Sequence, residues 1–284
     1  MPCTPALERA VDHLIELALA EDMAGGDVTT EALVPPEAEG RAVLLAKEPL
    51  VLAGAWVAER VFRRLDPAAC CEVRFGEGER VAAGATLLEV HGRLRPLLMG
   101  ERTALNFLQR LSGIATQVRA FVDRLPPGCR TRLVDTRKTI PGFRLLEKYA
   151  VRVGGAGNHR LSLSDGVLIK DNHIAACGGI ATAVTRARGA VSHLFKIEVE
   201  VSDLDGVREA LSAGADVIML DNMEPDGIRA AVALIAGRAL VEISGGVGAG
   251  NLGALLDTGA DIVSVGALTH AARSVDISMR ILAT

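Results

Sequence analysis

Apolar residues recur at helical spacing where the chain begins. Leu7, Val11, Leu14, Ile15 and Ala18 share one face, which predicts an amphipathic helix. Residues 21–30, rich in Gly and Asp, read as a loop. Residues 41–52 read as strands broken at Pro49, and residues 55–65 as a helix with Val57, Val61 and Leu65 on one face. Short apolar runs between Gly76, Gly78 and Gly84 predict hairpins of a small sheet over 75–90. A long helical segment follows over 97–125, with an interruption near Ser112 and Gly113. Its buried stripe is Leu105, Leu108, Leu111, Ala115, Val118 and Val122. Arg102, Asn106 and Gln109 fall on a different face, for which a solvated surface is the plain reading.

From residue 131 the pattern changes to short apolar strands alternating with helices. The strands are predicted at 132–135, 167–170, 196–201, 217–220, 241–243 and 262–265, with helices such as 204–213 and 226–236 between them. Repeated β-then-α units imply parallel strands joined by right-handed crossovers. Six such strands fit a barrel short of the usual eight, or an open doubly wound sheet. No GxGxxG follows the first strand, which weakens a dinucleotide-binding reading.

Composition narrows the function. A chain of 284 residues is long for one core and comfortable for two domains, and 49% apolar content supplies the core. The net charge of −4 argues against nucleic-acid binding by bulk electrostatics, and one Trp and one Tyr are too few for a base-stacking platform. The five cysteines (Cys3, Cys70, Cys71, Cys129 and Cys177) form no CxxC pair, so a reducing cytoplasm is the expected setting. No signal peptide is visible. The apolar stretch 43–57 is broken by Lys47, Glu48 and Pro49, so no membrane association is expected.

Against this acidic background, Arg137, Lys138, His159, Arg160, Lys170 and His173 concentrate in a short span. Adjacent cations repel, so the cluster costs stability unless an anion or protein carboxylates offset it. In a parallel barrel the site lies at the C-terminal ends of the strands. Polar residues stand at those ends here: Asp135, Thr136, Arg137 and Lys138 after the first strand and Lys170 after the second. Lys196, Glu198 and Glu200 share one face of the third, and Asp221 and Asn222 close the fourth. Ser244, Gly245, Gly246 and Gly266 follow the last two, where barrels often bind phosphate through backbone N–H groups. Any one of these could be a satisfied structural charge. Six strand ends in register are hard to explain as packing. Glu200 and Asp221 could hold a divalent cation, accept hydrogen bonds from sugar hydroxyls, or stabilise a developing positive charge.

Ordered segments of the chain resemble the quinolinate phosphoribosyltransferases, also called nicotinate-nucleotide pyrophosphorylases (carboxylating). They include Glu101-Arg102-Thr103-Ala104-Leu105-Asn106, Leu111-Ser112-Gly113-Ile114-Ala115-Thr116, Asp135-Thr136-Arg137-Lys138-Thr139, Asn158-His159-Arg160 and Lys170-Asp171-Asn172-His173. Further pieces are Glu198-Val199-Glu200, Met219-Leu220-Asp221-Asn222, Ser244-Gly245-Gly246 and Val265-Gly266-Ala267. The resemblance implies an N-terminal α/β sandwich over 1–112, with a C-terminal segment from about 270 packing back on it, and an incomplete parallel α/β barrel over 113–269. It implies a pentosyltransferase of NAD biosynthesis that condenses quinolinate with phosphoribosyl pyrophosphate, requires Mg²⁺, and works as a homodimer or higher homo-oligomer with shared sites. Arg137, His159, Arg160 and Lys170 would then hold the two carboxylates of quinolinate, with Thr136 beside them and Arg102 reaching in from the other subunit. Lys138 and Lys170 would face pyrophosphate. Glu200 and Asp221 would serve the ribose or Mg²⁺, directly or through the substrate. Ser244, Gly245, Gly246 and Gly266 would take the 5′-phosphate. Ile140 and Phe143 depart from the family pattern without supplying charge.

Two rivals come from other classes. A Schiff-base lyase with Lys170 as nucleophile would leave Arg137, Arg160 and Arg102 unexplained. A non-catalytic phosphometabolite sensor would not need Glu200 and Asp221.

Overall fold

The structure is a computed structural model that describes residues 5–282. Cys3 lies outside the described residues, and Cys70, Cys71, Cys129 and Cys177 are free thiols. The chain opens with helices α1 (Pro5–Asp22) and α2 (Val28–Leu33), then strands β1 (Glu39–Ala46) and β2 (Leu50–Val51) and helix α3 (Ala55–Leu65). Strands β3 (Cys70–Val73), β4 (Arg80–Val81) and β5 (Thr86–Arg93) lead into helix α4 (Leu94–Val122). Strand and helix then alternate through β6 (Arg132–Val134), α5 (Arg144–Gly154), β7 (Val167–Ile169), α6 (Asp171–Cys177), α7 (Ile180–Ala190), β8 (Ile197–Val201), α8 (Leu204–Ser212) and β9 (Val217–Asp221). The series closes with α9 (Pro225–Ile235), β10 (Leu240–Ser244), α10 (Leu252–Leu256), β11 (Ile262–Ser264), α11 (Ala267–His270) and β12 (Ile277–Leu282).

The chain forms two compact units. The first takes residues 1–119, 140–155 and 272–284; the second takes 120–139 and 156–271. This differs from a boundary at 112/113 in two ways. Helix α4 continues through Gly113, because the position where a Cβ would stand there is filled by the carbonyl oxygen of Arg273: glycine permits a close backbone approach instead of breaking the helix. Helix α5, expected with the barrel, belongs to the first unit, where the Arg110 guanidinium donates to the wholly buried Glu147 at 2.5 Å.

The first unit holds an antiparallel sheet in the order β12-β1-β5-β3, with Phe62 and Val61 of α3 fully buried. Three local expectations change. The loop at 21–30 ends early, because Asp27 accepts from the backbone N–H of Thr29 and Thr30 and so caps α2. Residues 75–90 form no hairpin of their own: β4 pairs with β2, and β5 pairs with β1 and β3. Gln109, placed on a solvated face, donates to the Ile277 carbonyl at 2.8 Å.

The second unit is a parallel six-stranded sheet in the order β6-β11-β10-β9-β8-β7. Chain neighbours are sheet neighbours except at one point, where β6 pairs with the last strand instead of β7. That is the order of a parallel barrel left open between its first and second strands. The outer faces of the strands bury Ile197, Val199, Val201, Ile218, Leu220, Val241, Ile243 and Val263. With those apolar positions set outward, alternation turns Glu198, Glu200, Met219, Asp221, Glu242 and Ser244 inward. Among the described residues, no helix is long and apolar enough to cross a membrane.

Candidate active site

One buried carboxylate organises the first strand end. Asp135, with no exposed surface, accepts from the Asn158 amide at 2.7 Å and from the backbone N–H of His159 at 2.9 Å. Val134 bridges Gly157 alongside, so the His159–Arg160 segment is fixed next to the Arg137–Lys138 turn. That turn is locked in its own right. The Lys138 N–H donates to the Thr136 hydroxyl at 3.1 Å, and the Lys138 carbonyl accepts from Thr269 at 2.8 Å.

These segments line a cavity of about 890 Å³, within the usual size range of a small-molecule site. Thr136, Arg137, Lys138, His159, Arg160, Lys170, Glu200, Asp221, Ser244, Gly245, Gly246 and Gly266 all contribute to its wall. Arg102 does not. It is exposed in the first unit, beside a separate cavity of about 300 Å³ that also takes Glu21, Asp22, Asn106 and Arg110. Lys196 precedes β8 and is exposed, and His173 accepts the Lys170 backbone N–H at 3.0 Å; neither lines the large cavity.

The wall divides by charge. Arg137 buries its Nε without a hydrogen-bond partner, an uncompensated donor that an anion would satisfy. Arg160 is held below the usual arginine range, first by burial and then by the neighbouring Arg137. Across the cavity the Lys170 ammonium stands 2.5 Å from a Glu200 carboxylate oxygen. Asp221 accepts from the Asn222 amide at 2.8 Å. Asn222 adopts a left-handed φ of 54°, and a side chain at Gly245 would collide with its amide. The Ser244-Gly245-Gly246 turn therefore needs glycine for contact as well as for its own φ of 84°.

Beneath these groups is a cluster that motif reading did not single out. His159 Nε2 lies 3.3 Å from Glu198 and 3.5 Å from Glu242, while its Nδ1 accepts the Arg160 backbone N–H at 2.8 Å. Glu242 is 2% exposed. Burial, reinforced by the Glu198 charge and opposed by His159, pushes it up to about 7. Its sequence signal was available: Glu242 stands two residues before Ser244 on one strand face, as Glu198 does before Glu200. Ser264 and His270 also reach the cavity wall without having been anticipated.

The arrangement can hold a polyanion. The paired guanidinium groups suit planar carboxylates, the glycine turns suit a phosphate, and the carboxylates between them suit a centre that becomes positive.

Comparison with known proteins shows the family. Residues 27–112 match the N-terminal domain of quinolinate phosphoribosyl transferase, and residues 114–280 match its C-terminal domain. The probable nicotinate-nucleotide pyrophosphorylase [carboxylating] of Bacillus subtilis (strain 168) is 44% identical over 96% of this chain and 92% of its own length. The NadC structure from Streptococcus pyogenes superposes with a TM-score of 0.94 at 43% identity, covering 100% of both chains. The nicotinate-nucleotide pyrophosphorylase of Francisella tularensis superposes at 0.91 with 40% identity over 96% of each. The chain belongs to the quinolinate phosphoribosyltransferase family.

Proposed function

We propose that this chain transfers the phosphoribosyl group of phosphoribosyl pyrophosphate to the ring nitrogen of quinolinate with loss of the 2-carboxylate. The products are nicotinate mononucleotide, pyrophosphate and CO₂, within the de novo synthesis of NAD. The observation that carries this reading is the Arg137–Arg160 pair. Two adjacent guanidinium groups, one with a buried unpartnered Nε, share a cavity with glycine turns and with Glu200 and Asp221.

In this reading Arg137 and Arg160 hold the carboxylates of quinolinate, with Lys170, Thr136 and the ring of His159 bordering them. Arginine is favoured because its planar fork meets a carboxylate with two parallel bonds. The backbone of Ser244, Gly245, Gly246 and Gly266 receives the 5′-phosphate. Lys138 and Lys170 face pyrophosphate, and Lys170 exchanges part of its hold on Glu200 for that anion. Glu200 and Asp221 stabilise the ribose as it gains oxocarbenium character. Once the ring nitrogen is alkylated, its positive charge stabilises the electron pair left at C2 by the departing CO₂, and a proton from water then bonds to that carbon. Lys170 serves as a paired cation; a Schiff-base nucleophile would be desolvated in an apolar pocket.

Hard carboxylate oxygens fit Mg²⁺. Glu200 already has Lys170 on it, so Asp221 is the protein carboxylate better placed for a metal carried mainly by the substrate's phosphates. Bound there, Mg²⁺ would neutralise the departing pyrophosphate. Arg102 completes the site of a second copy in a homodimer. The four free thiols among the described residues favour a reducing cytoplasm as the setting.

The deciding experiment is incubation with phosphoribosyl pyrophosphate, Mg²⁺ and either quinolinate or nicotinate. Nicotinate mononucleotide should form from quinolinate, with nicotinate poorer by roughly one to two decades, the worth of one lost charge-assisted carboxylate contact. Equal turnover of the two acids would defeat the reading.

A further inference from the structure

Two acids of the cluster below the cations, Glu198 and Glu242, have no role in the phosphoribosyl chemistry described above. Nε2 of His159 and one oxygen each of Glu198 and Glu242 all lie within 4.8 Å of one another, a spacing that a metal ion could occupy. The other ring nitrogen argues against a metal. Coordination through Nε2 would place the imidazole proton on Nδ1, yet Nδ1 accepts an N–H from Arg160 at 2.8 Å. The proton of a neutral ring therefore sits on Nε2 and points at the two acids. A doubly protonated ring would set a second N–H against the Arg160 donor, so the same contact disfavours it. One N–H between two buried carboxyl groups leaves one repulsion uncompensated, and a further proton on a carboxyl relieves it.

We propose that this cluster is a proton-holding site: Glu242 rests as the carboxylic acid, Glu198 as the carboxylate and His159 as the neutral Nε2–H imidazole, and the proton on Glu242 sets how tightly a dicarboxylate binds above. The inference rests on the reading of Arg137 and Arg160 as the carboxylate site. Glu242 is the more deeply buried of the two acids, 2% exposed against 8% for Glu198, and each leaves its Oε1 without a hydrogen-bond partner. The groups facing it are Glu198 from β8, His159 from the segment after α5, and Ser264 from β11; its register partner on β9 is the apolar Met219. Arg160 is the nearby cation, acting on Glu198. With Glu242 protonated the cluster carries one negative charge. Loss of that proton adds a second beneath the cations that hold the substrate. Quinolinate should then bind less well as pH rises through neutrality, with turnover less affected. Glu242 acts here as a positioning residue, through charge and through the ring it orients.

Two measurements on the full chain test this. The first is ¹⁵N NMR of the histidine rings without substrate, assigned by difference against His159→Gln. The expected result is an unprotonated Nδ1 and a protonated Nε2; a proton on Nδ1 would overturn the proposal. The second is the KM for quinolinate against pH in the wild type and in Glu242→Gln, which mimics the neutral acid. Wild-type KM should rise about tenfold between pH 6 and 8.5, the scale of one added charge at moderate distance. The Gln variant should change by less than about twofold, and a parallel rise in both would overturn the proposal. If Glu242→Gln does not fold, the wild-type KM series still tests the proposal: a KM for quinolinate that stays flat between pH 6 and 8.5 would overturn it. An unchanged quinolinate KM in Arg160→Ala would instead sink the carboxylate-site reading and leave the ring measurement standing.

Discussion

In the first unit Arg60 meets Asp12 at 2.5 Å, Arg64 pairs with Glu16 and Arg273 with Glu48. In the second, Arg137 and Arg160 stand beside each other, and Arg137 leaves a buried Nε unpartnered. The same residue type does opposite things. Paired at a solvated surface, arginine contributes little, because water already screens the charge. Crowded against another arginine and partly buried, with Glu198 and Asp165 offsetting only part of the cost at Arg160, it destabilises the fold in a way a bound anion relieves. The contrast locates function without reference to any relative: stability is given up where a ligand will restore it.

The contrast should show most strongly in turnover. Asp221→Ala or Glu200→Ala removes a negative charge that matters chiefly when the ribose becomes cationic, so kcat should drop about 10²–10³-fold with smaller changes in KM. A kcat within threefold of wild type in either variant would remove the carboxylates from the mechanism.

Next in size is the arginine comparison itself. Arg160→Ala should raise KM for quinolinate by roughly 10–100-fold. Its melting temperature should hold or increase, since the repulsion with Arg137 is gone. Arg64→Ala, in the other class, should move neither. Loss of thermal stability in Arg160→Ala would show that its charge is compensated within the protein after all.

Subunit mixing asks whether the exposed Arg102 belongs with the paired arginines or the unpaired ones. Arg102→Ala and Lys170→Ala chains should each be nearly inactive alone. Mixed and allowed to exchange, they should recover toward about one quarter of wild-type activity, since half of random dimers are mixed and each has one intact site of two. No recovery despite demonstrated exchange would confine the site to one chain.

The smallest effect concerns Glu242 and stability. Its folded pKa is raised above the ordinary carboxylate value, so its contribution is fully present below that ordinary value and is lost as pH rises through about 7. The wild type should therefore melt lower at pH 8.5 than at pH 6, and Glu242→Gln should narrow that gap by about 4 °C. An identical pH dependence of melting in both proteins would mean that Glu242 is already ionised at neutrality.

Much of this was legible before folding. Helix α3 lies over the predicted residues, and all six barrel strands overlap their predicted ranges to within one residue at each end. Apolar periodicity is a local property, and it survives because each element buries the face its own sequence provides. Elements set by partners were read less well. Gly113 looked like an interruption until a carbonyl from Arg273 was seen to occupy its side-chain space. The run at 75–90 looked like hairpins, but its strands found more distant partners.

The amino-acid order alone determined which residues could carry charge at the strand ends, because strand alternation and the β-then-α repeat fix the face and the end on which a side chain stands. Tertiary structure decided which charges are compensated. Lys170 with Glu200, Asp135 with the His159 backbone, and Glu242 beneath His159 come from strands far apart in the chain. Their energies depend on distances and burial of a few ångströms, which curvature of the sheet sets and no local pattern encodes.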